Sequence, residues 1–149
     1  MRFPILMYHQ IDAPPPRGAA MRGMVVAPSS FAWQMRMLAM LGFRGLCMRE
    51  LAPYLAGEKH GRVVGITFDD GYLDNLENAF PILREHGYPA VIFAPVAYLD
   101  DSRPLPHEEP FRLLGAPGPV AQRAEIGEGL LLVGHYAPTL FLRFIEATS

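Results

Sequence analysis

VVGITF, residues 63–68, is a continuous apolar run of the kind buried on both faces in a parallel sheet. DDGY, residues 69–72, follows it with no spacer. Downstream, LDNLENAFPILREHG (73–87) reads as a helix with Leu76, Phe80 and Leu83 on one face. Pro81 lies inside that pattern, where it kinks a helix or marks a late start. YPAVIFAPV (88–96) reads as another buried strand. Upstream, FPILMY (3–8) predicts a short buried strand, and DAPPPRGAAMRG (12–23) is a loop set by its prolines and glycines. A helix follows, capped by Ser29 or Ser30, with Phe31, Met35, Leu38 and Leu41 at helical spacing and Gly42 closing it. Its methionines, Met35 to Met40, suit core filling. FRGLCM (43–48) predicts a weaker strand, RELAPYLAG (49–57) a short helix, and EKHGR (58–62) a polar turn.

Strands alternating with helices in this way predict an α/β fold with parallel strands, as a sheet or a barrel. Beyond residue 99 the pattern weakens. DDSRPLPHEEPFRLLGAPGPV (100–120) reads as irregular, AQRAEIGEG (121–129) as a helical turn, LLLVG (130–134) as a strand running into His135, and PTLFLRFIEA (138–147) as a terminal helix. No internal repeat is visible.

The 149 residues suit one domain, 1–149, and half of them are apolar, enough for a sizeable core. A net charge of -2 without a basic stretch gives no reason to expect nucleic acid. The single cysteine, Cys47, excludes an internal disulfide. No apolar run approaches the roughly 18 residues of a membrane span. MRFPILMYHQ reads as a first strand rather than an export signal, so a cytoplasmic location is the expectation.

Adjacent carboxylates at a strand end repel each other unless a metal ion, a shared proton or a cationic partner answers them. In parallel α/β folds the active site lies at that end of the strands, and Gly71 permits a sharp backbone turn there. A lone strand-end aspartate caps a helix or shapes a turn; Asp69 and Asp70 together, followed by glycine, point to a site. The spacing fails an EF-hand calcium loop, which needs alternating oxygen ligands. It also fails a strand-D-x-D phosphotransferase, because Gly71 stands where the second aspartate belongs. A phosphate-cradling loop would need more glycines and a lysine.

ITFDDG resembles the first signature of the polysaccharide deacetylase family, the NodB-homology domain of carbohydrate esterase family 4. PILMYHQI resembles the opening strand of many members. SSFAWQMRMLAMLGFRGLCMRELAPYLAGE is similar to their F-x-x-Q-M-x-x-L segment, and DNLENAFPILREHGYPAVIFAPVAYL to the region after the signature. The resemblance covers about residues 3–99, leaving 100–149 as a divergent tail. It implies an incomplete (β/α) barrel and a metal-dependent hydrolase that removes N-acetyl, or sometimes O-acetyl, groups from a sugar polymer or glycan. By resemblance, Asp69 is the general base and Asp70 a ligand of a divalent metal such as zinc. His135 then falls where the last signature carries the general acid. Tyr72 and His9, on the same rim, are the expected substrate contacts; each has an ordinary alternative, packing for Tyr72 and a strand-end hydrogen bond for His9.

The chain departs from the family at its second signature, H-[ST]-x-x-H. Its histidines are His9, His60, His86, His107 and His135, and no two are four residues apart. A deacetylase-like scaffold without catalysis, binding glycan or a partner chain, is the alternative reading. His86 suits a helix C-terminus, and His107, beside Glu108 and Glu109, is a further candidate metal ligand. An unclosed barrel leaves a strand edge that a second copy would cover.

Overall fold

The structure, a computed structural model, describes residues 3–19 and 21–95, and the backbone of two further strands at Leu130–Tyr136 and Thr139–Phe144. In chain order the elements are β1 (Ile5–Tyr8), β2 (Gln10–Ile11), β3 (Val25–Val26), α1 (Pro28–Met40), β4 (Arg44–Gly45) and α2 (Met48–Leu55). Then come β5 (Val63–Asp69), a π-helical turn (Asn75–Ala79), α3 (Phe80–Glu85), β6 (Val91–Pro95), β7 (Leu130–Tyr136) and β8 (Thr139–Phe144).

The main sheet runs β1-β5-β6-β8-β7, with β4 also paired to β5. β1, β4 and β6 all lie parallel to β5. This is an α/β architecture with parallel inner strands, and among the described residues its sheet is open. β5 sits at the centre because six of its seven residues are buried, and a continuous apolar run can satisfy both faces only inside a sheet.

The two faces of β5 meet different helices. Val64, Ile66 and Phe68 join Phe31 and Met35 of α1 and Leu83 of α3 in one core cluster. Val63, on the opposite face by alternation, packs with Leu46 and Leu51. Gly65 keeps α2 close, since a Cβ there would come within 2.6 Å of Leu51 Cδ1. Tyr8, Phe31 and Phe68 form an aromatic triangle with ring centroids 5.0–5.9 Å apart. The Tyr8 hydroxyl donates to Gln34 Oε1 at 2.7 Å.

Several expectations change. The segment predicted as a terminal helix is the strand β8, antiparallel to β6 over Val91↔Arg143 through Pro95↔Thr139. Its alternating Leu, Phe and Thr residues suit a pleated ladder, and pairing satisfies the outer edge of β6. The sheet is therefore mixed rather than wholly parallel. α1 starts at Pro28, with Ala27 as N-cap and no side-chain cap from Ser29 or Ser30; proline at the first position needs no N–H partner. Gly42 does close it, at φ +73°. β1 is half-exposed, with Ile5 and Met7 open to solvent, because it lies at an edge of the sheet. The strand expected over 43–48 shortens to two residues. On the helix after the acids, Leu76 is exposed while Asn75, Ala79 and Leu83 are buried, because the π-turn before Pro81 rotates the face. Met35 is core, but Met40 is exposed. The readings of 100–120 and 121–129 lie outside the described residues.

Candidate active site

Register alone brings the first pair of site residues together. Tyr8 pairs with Phe68 across parallel strands, so the next residue on each strand, His9 and Asp69, emerges at the same level of the C-terminal rim on the same face. His9 Nε2 lies 3.8 Å from Asp69 Oδ2, both side chains about a quarter exposed. That distance is ion-pair range when the imidazole carries a proton, and longer than a hydrogen bond. Burial pushes the Asp69 carboxyl above the usual aspartate range; His9 pulls it back down, and the neighbouring Asp70 charge pushes it up.

Asp70 leaves the strand in the left-handed region, at φ +73°, and Gly71 continues there at φ +70°. Aspartate tolerates that conformation better than most residues. The Asp70 N–H still donates to the Phe93 carbonyl at 2.8 Å, so the turn is tied to β6. Two successive left-handed residues break strand alternation and leave both carboxyls half-buried on the rim. Gly71 is needed twice over, since a Cβ there would also sit 3.0 Å from Ala94 Cβ.

The remaining expected residues divide. Tyr72, expected as a substrate contact, is 2% exposed and presents almost no surface to solvent. His135 is in β7, paired with Leu140 of β8, and Leu140 in turn pairs with Ala94 of β6. It therefore shares the rim with Asp69, but three strand spacings away along the sheet, about 14 Å. His107 lies outside the described residues. His86 is the C-cap of α3, as its helix-end reading required.

Sequence reasoning missed Asp74 and Asn75, which are buried behind the rim. Asp74 Oδ1 accepts the Ile11 N–H at 2.7 Å and an N–H of Asn75 Nδ2 at 2.9 Å. Burial pushes its carboxyl up to about 6, against the downward pull of those hydrogen bonds and helped by nearby Asp12. The sequence offered no separate signal for them, since Glu77 and Asn78 make the same stretch polar.

A catalytic zinc centre wants three protein ligands. Among the described residues no three His, Cys, Asp or Glu side chains come together, so these residues alone do not compose such a centre. A cleft of about 580 Å³ lies at the other end of the sheet, lined by Arg44, Tyr54, Lys59, Arg84 and Tyr88. It is remote from the acids. No helix among the described residues is long and apolar enough to cross a membrane.

Residues 56–109 match the polysaccharide deacetylase family. The chain is 37% identical over 94 residues to the provisionally named polysaccharide deacetylase YxkH of Bacillus subtilis (strain 168), covering 62% of this chain and 31% of that one. The Streptococcus pyogenes deacetylase PplD, solved in complex with acetate, is 28% identical with a TM-score of 0.59, over 67% of this chain and 45% of that one. IcaB from Ammonifex degensii is 32% identical with a TM-score of 0.50, over 60% and 37%. The chain thus spans less than half the length of each of these relatives. Over the matched residues the chain is similar to part of the polysaccharide deacetylase domain.

Proposed function

We propose that this chain takes part in hydrolytic removal of N-acetyl, or O-acetyl, groups from a sugar polymer or glycan. The observation that carries the reading is the Asp69–His9 pair, 3.8 Å apart on the C-terminal rim with Asp70 beside it. A half-buried carboxylate whose affinity for protons is raised by burial is a stronger general base than a solvated one. Asp69 would take a proton from water as its oxygen attacks the acetyl carbonyl carbon. Collapse of the tetrahedral adduct breaks the C–N bond, and the departing amine takes a proton from His9. The products are acetate and the free amino sugar. His9 is favoured for the donor role by its distance from Asp69.

The divalent metal, zinc in the first instance, belongs to this proposal. Asp70 would be its ligand on the rim. When bound, the metal would supply polarisation of the acetyl carbonyl.

The test is acetate release from N-acetylated glucosamine oligomers, with and without added zinc or cobalt. Release that disappears in Asp69→Asn supports the reading. No release from acetylated glycans under either condition overturns it.

A further inference from the structure

A buried polar knot holds the segment that carries His9. Asn75 is 0% exposed. Its Nδ2 donates to the His9 carbonyl at 2.8 Å and to Asp74 Oδ1 at 2.9 Å. Asp74 Oδ1 takes the Ile11 N–H at 2.7 Å, and Asn78 Nδ2 donates to the Ile11 carbonyl at 2.7 Å. Side chains at and beside the π-turn therefore grip residues 9–11 by their backbone, whatever side chains those residues carry. Such turns concentrate at functional sites.

A fully buried carboxamide is costly unless its hydrogen bonds are needed. Here Asn75 Oδ1 is buried with no hydrogen-bond partner, so the amide is retained for what its Nδ2 does. A leucine of similar volume would serve the core without that orphaned oxygen. The bond that an apolar residue cannot replace is the one to the His9 carbonyl.

We propose that Asn75, braced by Asp74, is a positioning residue that fixes the His9 backbone so that its imidazole faces Asp69. This rests on the reading of His9 and Asp69 as an acid–base pair.

The experiment is nuclear magnetic resonance of the full chain with labelled histidine. The His9 ring resonances are compared in four proteins: the native sequence, Asp69→Asn, Asn75→Ala, and the double variant. Asp69→Asn is expected to move the His9 ring signals in the native background. In the Asn75→Ala background the same change is expected to move them less than half as far. Asn78→Ala, which loosens Ile11 without touching His9, is expected to leave the full response. An equal response with and without the Asn75 amide overturns the assignment. Asn75→Ser keeps a small polar group in the cavity and replaces the alanine variant should that one not fold. Failure of both to fold also overturns it, because Asn75 would then be a folding residue. No substrate is used, so this result is separate from any failure to release acetate.

Discussion

His9 and Asp69 face each other at 3.8 Å from adjacent parallel strands. The contact is a consequence of register. Tyr8 opposite Phe68 fixes it, and a shift by one residue would turn one of the two side chains to the other face of the sheet. The aromatic packing of Tyr8 and Phe68 on Phe31 holds that register from below.

Loss of the imidazole should therefore act on chemistry more than on stability. His9→Gln is expected to lower kcat for acetate release by about 10²–10⁴-fold, the usual range for a positioned proton donor or acceptor. Because the His9 side chain is partly exposed, the melting temperature should move little. Steady-state kinetics and a thermal melt on the same preparation check both halves.

The turn that presents Asp70 depends on Gly71. Gly71→Ala puts a Cβ at φ +70° and 3.0 Å from Ala94 Cβ, which should cost about 1–3 kcal/mol. Chemical denaturation is expected to show a lowered midpoint with an unchanged slope. A midpoint equal to that of the native chain would mean that the turn relaxes freely.

Asp74 makes stability depend on pH in a direction opposite to a salt-bridged aspartate. Its carboxyl is pushed up by burial to about 6, so the protonated form is favoured on folding. The stabilisation is complete below the ordinary aspartate range, near pH 4, and is lost as pH rises to about 6. Asp74→Asn keeps an oxygen acceptor for Ile11 and cannot ionise. The variant's melting temperature minus the native value is expected to grow across that window and level off above it. A flat difference would show that Asp74 does not titrate there.

Asp70 is the proposed metal ligand on the rim. Zinc binding measured by calorimetry is expected to weaken at least tenfold in Asp70→Asn and to change less in Asp74→Asn, which lies behind the rim. Equal affinity in the native chain and Asp70→Asn would remove Asp70 from that role.

Much of this fold is legible in the residue pattern. VVGITF could only be an inner strand, and its helix neighbours follow from apolar spacing and from glycines such as Gly42. What the pattern hides is pairing. PTLFLRFIEA carries a proline start and apolar spacing that suit a helix, yet its place against β6 makes it a strand. Tyr72 illustrates the same limit at the site. A tyrosine after two acids looks like an exposed ligand contact, yet after the left-handed turn at Asp70 and Gly71 it is 2% exposed. The rim position of Asp69 and Asp70 was legible because they end an apolar strand. Asp74 and Asn75 were not, since polar residues four and five places on look like a solvated helix face until the chain at 9–11 is seen packed against them.

The most direct measurement is a double-mutant comparison of acetate release by the native chain, Asp69→Asn, His9→Gln and the combined variant. Groups that work as one unit lose activity together, so the combined variant should be no slower than the slower single variant, within about threefold. Losses that multiply, or a single variant that keeps native activity, would contradict a shared acid–base site on this rim.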